Sequence, residues 1–324
     1  MAKGVGLISG GLDSILAVKV LQDQNIDIIG VSFVTPFFSS DKAENANKYL
    51  NIDLRILDIT DIHIEMIQSP RHGYGKGMNP CIDCHALMFN MAGKLMETEK
   101  ADFLFSGEVL GERPMSQNFR SLMMVSDESG YGDFIIRPLS AKLLPETRPE
   151  QEGKVDRERL LAISGRSRKP QIELAEYYGI KEYAQPAGGC LLTDKGYSKR
   201  LKDLITNNPD FDRRDIDLLT IGRQFRLKTG EKVIVGRDQK DNEKLISMKR
   251  DNDVIIDLVD YPSPIVMIPN GGSQEAIALS TSICVTHSDA PSNENVNAIY
   301  SLGGDEYYIR VKAISRAELD SIRI

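Results

Sequence analysis

Short apolar runs alternate with stretches of helical period through the first part of the chain. Residues 5–8 form an apolar run, a glycine turn follows, and residues 15–21 repeat apolar positions at helical spacing. The alternation recurs, with strands expected at residues 26–34, 54–59 and 101–106 and helices at 42–50 and 84–97. A loop at residues 69–79 carries Gly73, Gly75 and Gly77. Apolar strands joined through helices predict an α/β domain: a doubly wound, mainly parallel, Rossmann-like sheet with helices on both faces. Ligands of such sheets sit beyond the strand C-termini, where the glycine turn and the segments after Val34 and Ser106 would converge. Residues 107–118 then read as a polar loop, 135–139 as a short apolar run and 145–157 as a charged exposed segment. Helices are expected at 171–178 and 199–205, with a Gly-Gly turn at residues 186–190 between them. Near Asn207-Asn208-Pro209 the rhythm changes to short β segments at 232–236, 254–259, 265–268, 283–286 and 306–311, with a helix starting near 276–279. A domain boundary is expected there, dividing residues 1–206 from a smaller α+β domain at 207–324.

With 324 residues, 41% of them hydrophobic, each part is large enough to bury its own core. The net charge of −7 argues against coating nucleic acid wholesale, though not against a local basic patch. No run is long and apolar enough to span a bilayer, and the opening residues lack a signal-peptide pattern, so a cytoplasmic location is expected. The four cysteines are then reduced by default, and the Cys81/Cys84 pair points to metal or redox chemistry rather than a structural disulfide.

The most specific segment is Ser9-Gly10-Gly11-Leu12-Asp13-Ser14, between the first strand and the first helix. A glycine turn there aims backbone N–H groups and the positive end of a helix dipole at a phosphate, with Ser9 and Ser14 adding hydroxyl donors. Asp13 repels a bare phosphate and makes sense if Mg²⁺ bridges it to a polyphosphate. No Gly-Lys-Ser/Thr follows, which excludes a Walker A loop. The segment resembles the PP-loop, SGGxDS, of the ATP pyrophosphatases. That resemblance implies ATP cleaved between its α and β phosphates, with AMP passed to a substrate oxygen. It also implies nucleotide contacts at Ser9, Gly10, Gly11, Asp13 and Ser14, at Ser32 and Phe33 on the adenosine side, and at Gly107. Arg137 or Lys142 is the candidate for neutralising the leaving pyrophosphate.

Asn79-Pro80-Cys81-Ile82-Asp83-Cys84-His85 carries the second signal. Pro80 favours an extended approach, leaving both thiols at the start of the next helix, where the dipole favours thiolate. Cys190 supplies a third thiol from afar. Three thiolates leave an open position on a metal, which suits chemistry better than scaffolding. A zinc site would need His85 or His72 as fourth ligand. Cys284, in an apolar run, reads as a small core residue, and His63 and His287 as isolated surface or core residues. The segment is similar to the MnmA/ThiI-like tRNA thiouridine synthases, with Cys84 on the first essential cysteine of the MnmA family, Cys81 in place of an aspartate and His85 in place of an asparagine. Some archaeal-type synthases hold a [4Fe–4S] cluster on three cysteines. This implies Cys81, Cys84 and Cys190 as cluster ligands, or a Cys84/Cys190 persulfide relay, with Asp13, Cys84 and Cys190 catalytic.

Basic residues gather around the expected boundary (Lys199, Arg200, Lys202, Arg213, Arg214, Arg223, Arg226 and Lys228), interspersed with aspartates, and on charge alone read as a salt-bridged face. The segment from Thr220 to Arg226, followed by that from Val233 to Asn242, resembles the RNA-binding domain NFACT-R, which carries a similar VGRxxxxN sequence. A hairpin there would offer Arg237, Lys240 and Asn242 to RNA phosphate or 2′-hydroxyl groups. The resemblances together imply a tRNA sulfurtransferase using ATP and Mg²⁺, fed by sulfide or a separate persulfide donor; related enzymes are often homodimers. The alternatives are a PP-loop ligase acting on a small molecule and a non-catalytic RNA-binding protein regulated by nucleotide.

Overall fold

The computed structural model describes residues 1–184 and 190–324. The chain forms two compact units, Met1–Asp194 and Lys195–Ile324. The division falls before the helix at Lys195–Asn207, not at Asn207, because that helix packs within the second unit.

In the first unit the order is β1 (Lys3–Leu7), α1 (Leu12–Gln22), β2 (Asp27–Val34), α2 (Asp41–Leu50), β3 (Asp53–Asp58), α3 (Thr60–Gln68), α4 (Cys81–Thr98), β4 (Phe103–Ser106), α5 (Phe119–Ser129), β5 (Ile135–Ile136), α6 (Arg148–Gln151) and α7 (Lys169–Tyr177). The five strands form one parallel sheet in the order β3-β2-β1-β4-β5, as the strand–helix alternation predicts. Alternate side chains of each strand feed separate cores, so both faces are covered. Phe103 and Phe105 join Leu12, Leu16, Ala46 and Ala175 on one face, whereas Val5, Val31 and Leu104 join Phe89, Ala92 and Val125 on the other. The chain leaves central β1 in one direction to β2 and β3, and returns on the other side to β4. Strand order therefore reverses between β1 and β4, and in sheets of this kind the ligand crevice lies beyond the C-terminal ends of those strands.

Two features of β1 make this approach close. Its Gly4 and Gly6 lie opposite Phe103 and Phe105 of β4. A Cβ on Gly4 would come within 2.7 Å of the Phe103 ring, and one on Gly6 would strike Phe105.

The second unit runs α8 (Lys195–Asn207), α9 (Arg213–Leu218), β6 (Arg223–Arg226), β7 (Lys232–Val235), α10 (Gln239–Ser247), β8 (Val254–Leu258), β9 (Val266–Ile268), α11 (Gln274–Thr286), β10 (Val296–Leu302), β11 (Asp305–Val311) and α12 (Arg316–Ser321). Its six strands form an antiparallel sheet, β11-β10-β8-β9-β7-β6, which fits the expected α+β character. Residues 283–286, expected as a strand, are instead the end of α11. Ser273 caps that helix by accepting from the Ala276 N–H at 3.2 Å, and the apolar run is its buried face. Cys284 is buried there as a core residue, its thiol 3.3 Å from the Pro264 carbonyl. Among the described residues, no helix is long and apolar enough to cross a membrane.

Candidate active site

The PP-loop segment turns sharply from β1 into α1. Gly10 adopts a left-handed backbone (φ 72°), and a Cβ there would sit 2.6 Å from the Ala43 nitrogen, so only glycine fits. Gly11 is the N-cap of α1 and offers no side chain to the first-turn amides, which stay open to a ligand. Ser9 Oγ accepts from the Gly11 N–H at 3.3 Å, and the Ser14 hydroxyl donates to the Gly11 carbonyl at 2.8 Å. Both hydroxyls, expected as phosphate donors, also brace the turn itself. Gly107, immediately after β4, presses against the Asp13–Ser14 backbone, closing the crevice at its floor. Ser32 and Phe33 are buried within β2, and Phe33 packs in the core with Phe89 and Leu104.

Asp13 Oδ1 is buried without a hydrogen-bond partner. Burial raises the Asp13 carboxyl above its ordinary pKa, against the opposing influence of Arg168, Arg113 and Gln171. Glu112 is raised too, first by burial and then by the charge of Asp13. Two adjacent carboxylates, one with an unused oxygen, form a donor set that fits Mg²⁺. Arg113, Arg168, Glu112 and Gln171 carry no motif and were missed in the sequence. Arg137 and Lys142 lie elsewhere: Arg137 is buried and its Nε donates to Glu108 at 2.9 Å, while Lys142 reaches the Glu158 carbonyl at 2.7 Å. Arg137 is thereby consumed, whereas Lys142 is partly exposed beside Glu158.

The cysteines occupy the adjoining part of the unit. Pro80 is the N-cap of α4, so Cys81 and Cys84 open that helix as expected. Asp83, in the same turn, accepts from the Arg71 N–H at 3.0 Å and the His72 N–H at 3.1 Å, fastening the preceding loop. Cys190 arrives through backbone bonds from its neighbours: Leu191 N–H to the Phe37 carbonyl at 3.0 Å, and Met78 N–H to the Leu192 carbonyl at 3.2 Å. These bonds bring Cys190 toward the head of α4, where Cys190 and Cys81 both act on the Cys84 thiol. The Gly-Gly turn expected before Cys190 lies outside the described residues. Among the described residues, no group of three or more His, Cys, Asp or Glu side chains stands in metal-holding geometry. Burial raises the Cys84 thiol strongly, with Cys190 and Cys81 adding to it, and burial pushes Cys190 up to about 11. The thiolate preference expected at the head of α4 is therefore overturned at Cys84, where desolvation outweighs the helix dipole.

His63, read as isolated, meets this group. Its Nε2 lies 3.3 Å from Cys84 Sγ, its ring is wedged between Phe37 and Phe38, and burial lowers its pKa to about 4. It comes from α3, which the sequence pattern did not reveal. His85 turns away from the thiols and donates from Nδ1 to Glu108 at 2.8 Å. Burial alone would raise Glu108, but Arg137 and the His85 hydrogen bond outweigh it and lower its pKa to about 2. The Gly107-Glu108 pair therefore links the two halves of the site, with Gly107 against the PP-loop and Glu108 holding the cysteine helix.

In the second unit the expected RNA-gripping hairpin is a strand-to-helix turn from β7 into α10. Asn242 points inward and accepts from the Ile265 N–H at 3.1 Å, and Arg237 pairs with Asp241 at 2.6 Å. Lys240 stays exposed on α10. Several boundary cations are also engaged: Arg226 with Asp203 at 2.6 Å, and Arg214 with buried Asp253.

A parallel sheet whose central strand ends in SGGxDS, with a carboxylate at the N-terminus of the next helix, is the arrangement that the resemblance to the PP-loop implies. Residues 1–142 match the family model of the thiamine biosynthesis protein ThiI, and residues 222–323 match that of the NFACT protein RNA-binding domain. A probable tRNA sulfurtransferase of Ureaplasma parvum serovar 3 is 24% identical over 187 residues, 54% of this chain and 43% of that protein. One of Oceanobacillus iheyensis is 26% identical over 146 residues, 42% of this chain and 34% of that protein. The chain thus spans less than half the length of these curated relatives. A solved 4-thiouridine synthetase–RNA complex with bound ATP superposes with a TM-score of 0.31 at 18% identity, over 56% of this chain and 54% of that one.

Proposed function

We propose that this chain is an ATP-dependent tRNA sulfurtransferase that converts a uridine carbonyl to a thiocarbonyl. The observation that carries the reading is the joining, by Gly107-Glu108, of a PP-loop with an unsatisfied Asp13 to a Cys84 thiol on which Cys190 and Cys81 both act. The ThiI and NFACT matches support the ATP and RNA ends of this reading. The amides at the start of α1 bind the polyphosphate, and Asp13 and Glu112 would hold Mg²⁺ on it. The uridine oxygen attacks the α-phosphate, and pyrophosphate leaves. The resulting adenylate makes the former carbonyl carbon a site where sulfur adds and AMP departs.

Cys81, Cys84 and Cys190 would hold a [4Fe–4S] cluster, which they fit in number and type. Such a cluster supplies, when bound, an open iron position for sulfide. Without it, Cys84 and Cys190 would serve as a persulfide pair. The work of this chain's own residues is to bury the sulfur away from water, with His63, Phe37 and Phe38 around Cys84. The partners are tRNA, ATP and a sulfide or persulfide donor, and the setting is cytoplasmic.

The test is anaerobic incubation of the protein with unfractionated tRNA, Mg·ATP and sulfide, measuring AMP and thiouridine together with iron and acid-labile sulfide. Equal AMP and thiouridine, abolished in Cys84→Ala, is the expected result. About four irons per chain, lost in each of Cys81→Ala, Cys84→Ala and Cys190→Ala, would place the cluster. Absence of both AMP and thiouridine would overturn the reading.

A further inference from the structure

The wall of the crevice opposite the PP-loop is built from two loops far apart in sequence. The first comes after β4 and carries Glu112 and Arg113. It is closed on itself by Gly111 N–H to the Gln117 carbonyl at 2.7 Å and Gln117 N–H to the Arg113 carbonyl at 2.8 Å. The second precedes α7 and carries Arg168. Backbone joins them: the Gly165 N–H donates to the Leu110 carbonyl at 2.7 Å. Fully buried Ser140 rivets the pair, accepting from the Leu110 N–H at 2.9 Å and donating to the Ile163 carbonyl at 2.7 Å.

Both loops face Asp13. The guanidinium groups of Arg113 and Arg168 act on its carboxylate, and Gln171, in the first turn of α7, donates to Glu112 at 3.3 Å. Three polar atoms here are buried with no partner: Asp13 Oδ1, Arg168 Nε and Gln171 Oε1. Gln171 is 0% exposed. Buried groups of this kind are ordinarily satisfied, so three around one point mark the place of a polar ligand. Its charge is set by its surroundings. Two helices begin there, α1 and α7, and each brings the positive end of its dipole. Two guanidinium groups add to them, and the two carboxylates are accounted for by a divalent cation. The remaining positive potential suits a polyphosphate.

We propose that Arg168 and Arg113 are the pyrophosphate clamp of this site, gripping the β and γ phosphates of ATP from the side opposite the PP-loop and stabilising pyrophosphate as it leaves. The proposal rests on the ATP-using reading above and assigns its leaving-group side to two residues that carry no motif. Arg168 comes from a riveted loop and is the pre-organised member. Arg113 is exposed and closes over the phosphates from outside.

The experiment is calorimetric titration of Mg·ATP, Mg·pyrophosphate and AMP into wild type, Arg168→Ala, Arg168→Lys and Arg113→Ala. Arg168→Ala is expected to weaken ATP and pyrophosphate tenfold or more while AMP changes less than twofold. Arg168→Lys should recover part of the loss, and Arg113→Ala should show the same selectivity, more weakly. Unchanged AMP affinity reports an intact fold. If Arg168→Ala does not fold, exposed Arg113 decides the matter alone. Equal loss of AMP and ATP, or unchanged pyrophosphate binding, would overturn the clamp and leave the ATP-using reading standing. A wild type that binds no ATP would overturn both.

Discussion

Gly107→Ala probes the floor of the site. A Cβ at residue 107 would lie 2.6 Å from the Asp13 carbonyl oxygen, and closer still to the Asp13 carbonyl carbon and the Ser14 nitrogen. Carbon and its non-bonded neighbours rest at about 3.5 Å, so the two backbones must part by about 1 Å. The strands cannot supply that movement, because Leu7 of β1 and Ser106 of β4 are paired in register one residue before Gly107. The loop Ser9–Ser14 must absorb it. Overpacking of this kind costs about 1–3 kcal/mol, a fall of roughly 2–12 °C in melting temperature. A 1 Å displacement also pulls two or more amide donors out of hydrogen-bond range of a phosphate, a loss of about 3 kcal/mol, or roughly 100-fold in affinity. The assay is calorimetric titration with Mg²⁺ and a non-hydrolysable ATP analogue, paired with scanning calorimetry. Gly153→Ala is the control: it has a positive φ of 68° but no neighbouring atom within 4 Å, so it should cost about 1–2 kcal/mol and leave nucleotide binding intact. Wild-type affinity and melting temperature in Gly107→Ala would refute the argument.

Asp13→Asn should stabilise the ligand-free protein at pH 7 while weakening Mg·ATP binding. The folded pKa of Asp13 is raised, so ionisation penalises the folded state; the penalty is absent below the unfolded value of 3.8, grows between that and the raised folded value, and is complete above it. Melting curves from pH 3 to 8 should show the variant's advantage growing with pH, and a constant difference would contradict this. Arg137→Met strands Glu108 as a buried charge and should cost about 3–5 kcal/mol in urea denaturation. Adding Glu108→Gln should restore much of that stability, and a strictly additive double mutant would argue against the pairing. In metal-free protein at pH 8, burial of Cys84 and Cys190 should slow alkylation by iodoacetamide roughly tenfold or more relative to a peptide thiol. Mass mapping showing both modified as fast as in the urea-unfolded chain would count against their burial.

Periodicity made the parallel sheet legible, since strands buried on both faces read as apolar runs and α1 comes directly after its glycine turn. The PP-loop and the position of Cys81 and Cys84 at the head of α4 were legible for the same reason, being local. What could not be read was which single residues tertiary structure brings in. His63, Arg113 and Arg168 have no spacing relation to the motifs they join, and nothing in the sequence distinguishes Arg168, with a free Nε, from Arg137, consumed by Glu108. The apolar run at 283–286 shows the complementary failure: its composition favours a strand, but the cap at Ser273 had already started a helix. Asn242 likewise fitted an RNA-binding pattern, while its carbonyl oxygen is spent on the Ile265 amide.

The glycines of β1 have an evolutionary corollary. Gly4 and Gly6 leave the space that Phe103 and Phe105 fill, so the pairs 4/103 and 6/105 form one unit of volume shared between neighbouring strands. Neither partner can drift alone, because a side chain on β1 collides with a ring and a small residue on β4 opens a hole in the core. Homologues carrying a larger residue at position 4 or 6 should therefore carry a smaller one at 103 or 105, and deep mutational scanning should recover substitutions at these sites mainly as compensated pairs. The strand that delivers the phosphate loop would then be among the slowest-changing parts of the domain for reasons of volume, before any selection on catalysis is counted.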